Sequence, residues 1–299
     1  MKPVLAAMCG TSLYSIRELA KEEYTTLTNA FYQLNKFAES QQLYQMVKLN
    51  YDAIQEALIK YCVQYCQNSV MDWPRIEHMF LDVNRLILNF LSIFRTFLDH
   101  SEASIKKGHG KDSNQFRQFK DVCTEFYDND FSYRFIYKLR NYAQHCGMPV
   151  GNLEVSSKLI EPDRKETQHS LKVFFNKEEL LDRYDSWGKQ LTLDIKKLSD
   201  NIEITVHINC VMKFIEIINS QIKENVFTDL KIGISFIQRL LQETEVFNGD
   251  PCIACVKTDN EDENKTNVKL EWFPLHHIEM LNRVYTTHKY TNFFLEGSL

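Results

Sequence analysis

Apolar residues recur every three or four positions through most of the first half of the chain, which is the pattern of amphipathic helices. The first such stretch, from Ile16 to about Gln67, predicts two helices or one long bent helix. A second stretch begins after Asp72, which we expect to cap the helix, with Pro74 in its first turn. The polar sequence GHGKDSN, residues 108–114, ends this second helix.

The third helical stretch runs from Asn114 to Cys146. The sequence YDNDFS, residues 127–132, marks the place where an interruption would fall. Gly147 and Pro149 stop the helix, because glycine readily closes a helix C-terminus and proline cannot continue the helical hydrogen bonds.

The second half of the chain begins with shorter elements. LEVSSKLI (153–160) and SLKVFFNKEEL (170–180) predict two short strands, and the second leads into a helix at KEELLDRYDSW (177–187). From about Asp194 to Val226 a long helical pattern returns. Its many β-branched residues favour a strand, but its length and period favour a helix.

The tail predicts a helix, a hairpin and a final helix. The first helix spans Leu230 to about Thr244. The hairpin joins PCIACVKT (251–258) to NVKLEWF (267–273) around an acidic loop, and LHHIEMLNRVY (275–285) forms the last helix.

These elements predict a mainly α protein, built as an up-and-down bundle of about four long helices with small β additions. We place the bundle in residues 1–229, with a short β insertion near 153–176. Residues 230–299 would form a small α+β C-terminal extension. A helical bundle by itself implies no function.

Composition places the chain among globular proteins, with 44% hydrophobic and 12% aromatic residues. The apolar runs, such as LILNFLSIF at 86–94, are far shorter than the roughly 20 residues of a membrane helix. The first ten residues, MKPVLAAMCG, are too short for a secretory signal. We therefore expect a cytoplasmic protein that does not enter a membrane.

The eight cysteines are scattered and lie mostly at apolar positions, which predicts reduced, buried thiols. Cys252 and Cys255 form a C-x-x-C sequence, but no second Cys or His pair accompanies them at the spacing of zinc ligands. We expect no metal site and no cofactor.

The net charge of -5 argues against a protein that coats nucleic acid through a broad positive field. A local basic site remains compatible with this charge. Between Ala103 and Arg140 there are eight Lys and Arg residues against five acidic ones. The segment that leads to the end of the third helix is therefore locally positive.

That segment ends in RFIYKLRNYAQHCGMPVGN, residues 134–152, which holds an arginine, an asparagine and a histidine close together. On an ideal helix Asn141 and His145 lie on one side, so the Asn141 amide can fix the tautomer of the His145 imidazole. Arg140 lies about 140° away from His145. Two copies of the helix across a two-fold axis would alternate the arginines and histidines along one groove.

Such a groove has the groups that cleave a phosphodiester. An arginine fork binds phosphate oxygens and stabilises the charge of a five-coordinate transition state, and a histidine exchanges protons at neutral pH. In RNA the 2′-OH is itself a nucleophile, so this reaction requires no metal and leaves a 2′,3′-cyclic phosphate.

The segment YKLRNYAQHCGMPV (137–150), preceded by the helical sequence LDVNRLILNFLSIFRTFLDH (81–100), resembles the HEPN superfamily of prokaryotic proteins. Its ribonucleases carry an arginine, four to six residues, and then a histidine, with a polar residue, often asparagine, directly after the arginine. The resemblance implies a homodimeric, metal-independent endoribonuclease in which Arg140, Asn141 and His145 of both subunits form one site. It also implies a toxin or an antiphage effector.

The resemblance further implies an antitoxin or another regulatory protein as a partner. Toxins of this superfamily that nucleotidyltransferase antitoxins silence often carry a tyrosine two residues after the histidine. This chain has Gly147 there, so we do not expect silencing by AMPylation at that position.

Polar and aromatic residues around the motif are candidates for contacts with RNA. They are Lys138, Arg134, Gln144, Tyr137, Asp99 and His100. Each type has a structural alternative, since a histidine at a helix C-terminus commonly offsets the helix dipole and tyrosines at helical spacing commonly pack in a core.

Two other arginine and histidine pairs have the same spacing, Arg95 with His100 and Arg283 with His288. Neither has an asparagine after the arginine, and neither runs into a Gly/Pro stop, so we favour Arg140 and His145. A second function also fits the sequence, namely a non-catalytic HEPN-like scaffold that holds a nucleotide or a partner chain in the same groove.

Overall fold

The computed structural model describes residues 2–67, 72–161, 166–258 and 266–286. The chain is mainly α-helical with small antiparallel sheets, as the sequence predicts. In chain order the elements are β1 (Pro3–Cys9), β2 (Ser12–Glu18), α1 (Lys21–Gln67), α2 (Trp73–His109), α3 (Asn114–Asn129), α4 (Phe131–His145), β3 (Asn152–Glu161), β4 (Glu166–Asn176), α5 (Lys177–Arg183), α6 (Lys189–Lys197), β5 (Asn201–Glu203), α7 (Ile204–Thr244), a 3₁₀ turn (Glu245–Phe247), β6 (Asp250–Thr258), β7 (Thr266–Trp272) and α8 (Leu275–Thr286).

The chain folds into two compact units. The terminal unit comprises Met1–Glu39 and Lys223–Leu299, and the central unit comprises Ser40–Ile222. The chain passes from the terminal unit to the central unit after Glu39 and returns after Ile222. The boundary predicted near residue 229 lies close to the second of these positions. The first position falls inside α1 and has no signal in the sequence, because the helical pattern continues through it.

The terminal unit holds an antiparallel sheet in the order β2-β1-β6-β7. Strands β1 and β2 form a hairpin that the sequence pattern does not predict, and the helix expected from Ile16 begins instead at Lys21. Gly10, at φ 59°, supplies the left-handed turn between these two strands. Leu5 is fully buried in β1, where it faces Ile253 of β6. A strand buried in this way has no alternating pattern to reveal it.

Helices α1, α7 and α8 contribute apolar side chains to the core of the terminal unit. Leu27 and Phe37 of α1 are fully buried, as are Ile237 of α7 and Leu281 of α8. The predicted hairpin of β6 and β7 and the final helix α8 are confirmed.

The central unit contains α2 to α6 and a second antiparallel sheet in the order β3-β4-β5. Helix α4 packs against α2, α3 and α6. Several large aromatic residues lie in the core, with Phe90, Phe94, Phe135 and Trp187 almost completely buried. The predicted cap of α2 is confirmed, since the Asp72 carboxylate accepts a hydrogen bond from the Arg75 backbone N–H at 3.2 Å.

The helix predicted from Asp194 to Val226 is wrong at its beginning. Helix α6 ends at Lys197, and α7 starts at Ile204 and continues without a break to Thr244. Between them Asn201–Glu203 form the short strand β5, which pairs with β4. Lys177 holds this turn in place, because its backbone N–H donates to Asp200 O and its Nζ donates to Leu198 O, both at 2.8 Å.

In the part of the chain that the structure describes, no helix is both long enough and apolar enough to cross a membrane. All eight cysteines are free thiols.

Candidate functional site

Helix α4 carries the Arg140, Asn141 and His145 motif in its last two turns. The helix begins at Phe131 because the Asp130 side chain accepts a hydrogen bond from the Tyr133 backbone N–H at 2.8 Å, and this cap separates it from α3. It ends at His145, one residue before the predicted end at Cys146. The break expected within residues 127–132 therefore lies at Asp130.

The end of α4 is fixed by aromatic packing on its buried side. Tyr142, which is fully buried, stacks on Trp187 with 5.9 Å between ring centroids and meets Phe175 edge to face at 5.3 Å. Burial raises the pKa of the Tyr142 hydroxyl. Because Tyr142 lies between Asn141 and His145 in the sequence, the backbone of the motif is held in one place.

Arg140 is half-buried and contacts its neighbour in the motif. Its Nη1 donates a hydrogen bond to Asn141 Oδ1 at 3.4 Å. Its Nε is buried and has no hydrogen-bond partner within the described residues. Its Nη2 also makes no hydrogen bond to the described residues, and this free end of the guanidinium is suited to an incoming anion such as a phosphate.

His145 is exposed at the last position of α4. Across the described ranges its ring makes no hydrogen bond, so the contact predicted from Asn141 is not formed. The Asn141 oxygen accepts from Arg140. The imidazole is therefore accessible to a ligand from solvent.

Arg134, a predicted substrate contact, is a buried structural residue, with 8% of its surface exposed. Its Nη2 pairs with Asp194 Oδ2 at 3.0 Å, and its Nη1 donates to the Asp128 carbonyl oxygen at 3.0 Å. These bonds join α4 to α6 and to the end of α3, so Arg134 is engaged inside the protein and is not available to a ligand. Lys138 is half-buried and Gln144 exposed, both on the same helix as the motif.

Asp99 and Tyr137 belong to a different place, an open pocket of about 320 Å³ lined by α2, α3 and α4. Here Arg95 donates from Nε to Asp99 Oδ2 at 2.9 Å. The Arg95 guanidinium carbon also lies 4.4 Å from the centre of the Tyr137 ring. Burial raises the pKa of the Cys123 thiol in this pocket to about 11, so the thiol is neutral.

The predicted residues therefore fall into two groups. Arg140, Asn141 and His145 lie at the end of α4, and Asp99 and Tyr137 lie in the pocket. His100 is exposed on α2 and does not line the pocket. Sequence reasoning named Arg95 only as part of a competing motif. The spacing of Arg95 and Asp99, which places both on one helix face, is the signal that could have found this pair.

The competing pair near the C-terminus is only partly described. Arg283 pairs with Glu279 at 3.3 Å on α8, in the terminal unit. His288 lies outside the described residues.

Potential metal ligands are not grouped in the described ranges, where no cluster of three or more His, Cys, Asp or Glu side chains could hold an ion. Cys252 and Cys255 are both buried on β6.

Comparison with known proteins finds no relative: no protein-family model matches the chain, and no curated protein or solved structure is significantly similar to it.

Proposed function

We propose that this protein is a metal-independent endoribonuclease of the HEPN type. One observation carries the proposal: at the packed end of α4 a half-buried Arg140 with an unused Nη2 lies about one and a half turns before a solvent-exposed His145. Arginine can bind the phosphate and histidine can transfer protons, and RNA cleavage by 2′-OH attack uses both of these actions.

The reaction follows from what each side chain supplies. Arg140 binds the non-bridging oxygens of the scissile phosphate and offsets the negative charge that grows in the transition state. The substrate 2′-oxygen forms a bond to phosphorus as the bond from phosphorus to the 5′-oxygen breaks. One imidazole of the dimer removes the 2′-OH proton and the other protonates the 5′-oxygen, so the products are a 2′,3′-cyclic phosphate and a 5′-OH.

The proposed active form is a homodimer. Arg140 and His145 are about 140° apart around an ideal helix, so a single copy of α4 does not readily aim both at one phosphate. Two copies related by a two-fold axis bring an arginine of one subunit near the histidine of the other.

One observation favours the alternative, a non-catalytic scaffold that binds a nucleotide or a partner chain. Among the described residues no side chain orients the His145 ring, whereas a general acid or base is commonly held by a hydrogen-bonding partner. In the ribonuclease the dimer partner or the bound RNA supplies that orientation. The cellular role that we propose is that of a toxin or antiphage effector acting in the cytoplasm, under the control of a regulatory protein.

The experiment that separates the two functions is incubation of the purified protein with total RNA in EDTA. The ribonuclease cleaves RNA under these conditions, and His145→Ala reduces the rate by about 10² to 10⁴. His78→Ala removes an exposed histidine from α2 and serves as the matched control, with an unchanged rate. Intact RNA with the wild-type dimer would favour the scaffold.

A further inference from the structure

The pocket between α2, α3 and α4 combines an apolar floor with polar groups above it. Leu98, Phe119 and Tyr133 line it and are 6%, 2% and 1% exposed. Its volume of about 320 Å³ lies at the lower end of the range for small-molecule sites. A planar ring system of the size of a nucleobase fits this range better than a large ligand does.

Two ion pairs form the polar part of the pocket. Arg95 pairs with Asp99 at 2.9 Å, and Lys120 Nζ lies 3.2 Å from both carboxylate oxygens of Glu102. All four side chains line the pocket and are 30–50% exposed. Because two positive charges face two negative ones, the pocket has no excess charge to attract a phosphate. It is suited to a neutral ligand that both accepts and donates hydrogen bonds.

Arg95 is held in position before any ligand arrives. The Tyr137 ring lies against its guanidinium carbon at 4.4 Å, and Asp99 holds its Nε. Its Nη1 and Nη2 donate no hydrogen bond to the part of the chain that the structure describes. The Nη1 and Nη2 end of the planar Arg95 guanidinium can therefore donate hydrogen bonds to a ligand. The Asp99 and Glu102 carboxylates beside it can still accept hydrogen bonds.

We infer that this pocket binds a guanine base. Guanine carries two acceptors, O6 and N7, on one edge, and arginine recognises that pair through two parallel hydrogen bonds. Its adjacent edge carries the N1–H and N2–H donors, which Asp99 and Glu102 accept. Adenine offers one acceptor and one donor on the edge that faces arginine, and the pyrimidines lack the pair of adjacent donors. Tyr127, which also lines the pocket and is half-buried, is the aromatic side chain that stacks on the ring.

This site goes beyond the proposed ribonuclease activity and does not depend on it, because binding of the base uses neither Arg140 nor His145. Guanine has two sources, a free nucleoside or nucleotide and a guanosine within single-stranded RNA. The chemistry of recognition is the same for both.

The test is calorimetric titration of the full chain with guanosine, adenosine, cytidine and uridine. Guanosine should bind at least about fivefold more tightly than the others, the lower limit expected for a bidentate arginine contact. Arg95→Gln should weaken guanosine binding by about fivefold to 150-fold, and Arg95→Lys, which keeps the charge but loses the fork, should also abolish the preference. Arg117→Gln removes an exposed arginine of α3 that does not line the pocket, and should leave binding unchanged.

The source of the guanine follows from a second titration, with His145→Ala protein and short uridine oligomers that contain one guanosine or none. Tighter binding of the guanosine oligomer than of free guanosine identifies RNA as the source, and equal or weaker binding identifies the free nucleoside. The absence of saturable guanosine binding, equal affinity for all four nucleosides, or unaltered guanosine affinity in folded Arg95→Gln protein would overturn the assignment.

Discussion

Nη1 of Arg140 donates a hydrogen bond to the side-chain oxygen of Asn141, with 3.4 Å between the two atoms. Successive residues point about 100° apart around a helix, and Asn141 lies only about 40° from His145. The contact therefore draws the Arg140 guanidinium toward the side of α4 on which His145 lies. Asn141 is a positioning residue for Arg140, whereas the sequence predicts that it orients His145.

From this contact we expect Asn141→Ala to reduce kcat/KM for RNA cleavage by no more than about tenfold. A hydrogen bond to a charged group contributes about 1.5–3 kcal/mol, and this one is long at 3.4 Å, so the lower end applies. Arg140→Lys should lose more, because lysine keeps the charge but not the fork. Steady-state kinetics of the two variants would measure the difference. A loss in Asn141→Ala as deep as that in His145→Ala would place Asn141 in the chemical step.

The assembly state gives a second prediction. The protein should sediment as a homodimer, because the proposed site needs Arg140 and His145 from two copies of α4. Sedimentation velocity at the concentrations used for cleavage assays checks this directly. A monomer that retains full nuclease activity would show that one copy of the helix is sufficient.

The pair formed by Arg134 and Asp194 predicts a large effect on stability without a role in RNA binding. Their side chains are 9% and 18% exposed, so Asp194→Asn leaves a buried arginine without its counterion and should cost about 3 kcal/mol in the free energy of unfolding. Lys48→Ala, which breaks an exposed pair with Asp52, should cost less than about 1 kcal/mol. Urea unfolding of both variants compares them.

The stabilisation that Asp194 contributes should decrease as the pH falls. Hydrogen bonds from Gln190 and then Arg134 hold the pKa of Asp194 below its usual 3.8. Its contribution to stability is therefore present above about pH 4 and is lost as the pH falls through the lowered pKa. Wild-type protein should lose stability in this window more steeply than Asp194→Asn does. Parallel acid profiles of the two proteins would contradict the assignment.

A second ion network makes a prediction for the terminal unit. Arg17 pairs with Glu23 at 2.9 Å and with Glu243 at 2.6 Å. The hydrogen bond from Arg17, followed by one from the Ala20 backbone, lowers the pKa of Glu23 from 4.5 to about 2. The network should stabilise the fold above pH 4.5 and lose its effect as the pH falls toward 2.

Arg17→Met should therefore lower the unfolding midpoint at pH 7 and reduce the loss of stability between pH 4.5 and 2. Lys2→Met, which breaks the exposed pair with Glu18, is the control and should change neither quantity. Thermal unfolding followed by circular dichroism at several pH values provides the measurement. An identical pH profile in Arg17→Met would show that the network is not coupled to folding.

The long helices could be predicted because an amphipathic pattern repeats locally along α2 and α4, and because polar caps such as Asp72 and Asp130 mark where these helices begin. The N-terminal hairpin of β1 and β2 could not be predicted in this way. Strand β1 gains its stability from pairing with β6, whose residues lie near the other end of the chain. A short apolar stretch does not indicate which distant part of the chain it pairs with.

The same reason explains which placements around α4 could be predicted from the sequence. The position of Arg140, Asn141 and His145 at the end of a helix follows from the local sequence, and the structure confirms it. The burial of Arg134 depends on Asp194, which lies sixty residues further on and leaves no local signal. Long-range contacts therefore decide which charged residues near a motif are available to a ligand.

The most direct test of the proposed ribonuclease is cleavage, in EDTA, of an RNA in which the single nucleotide before the mapped cut carries 2′-deoxyribose. We predict that this substitution stops cleavage at that bond, and that the unmodified RNA yields an upstream fragment ending in a 2′,3′-cyclic phosphate, because the 2′-OH is the nucleophile. Arg140→Lys and His145→Ala should both be nearly inactive on the unmodified RNA. Cleavage of the deoxy-substituted bond at an undiminished rate would contradict the mechanism.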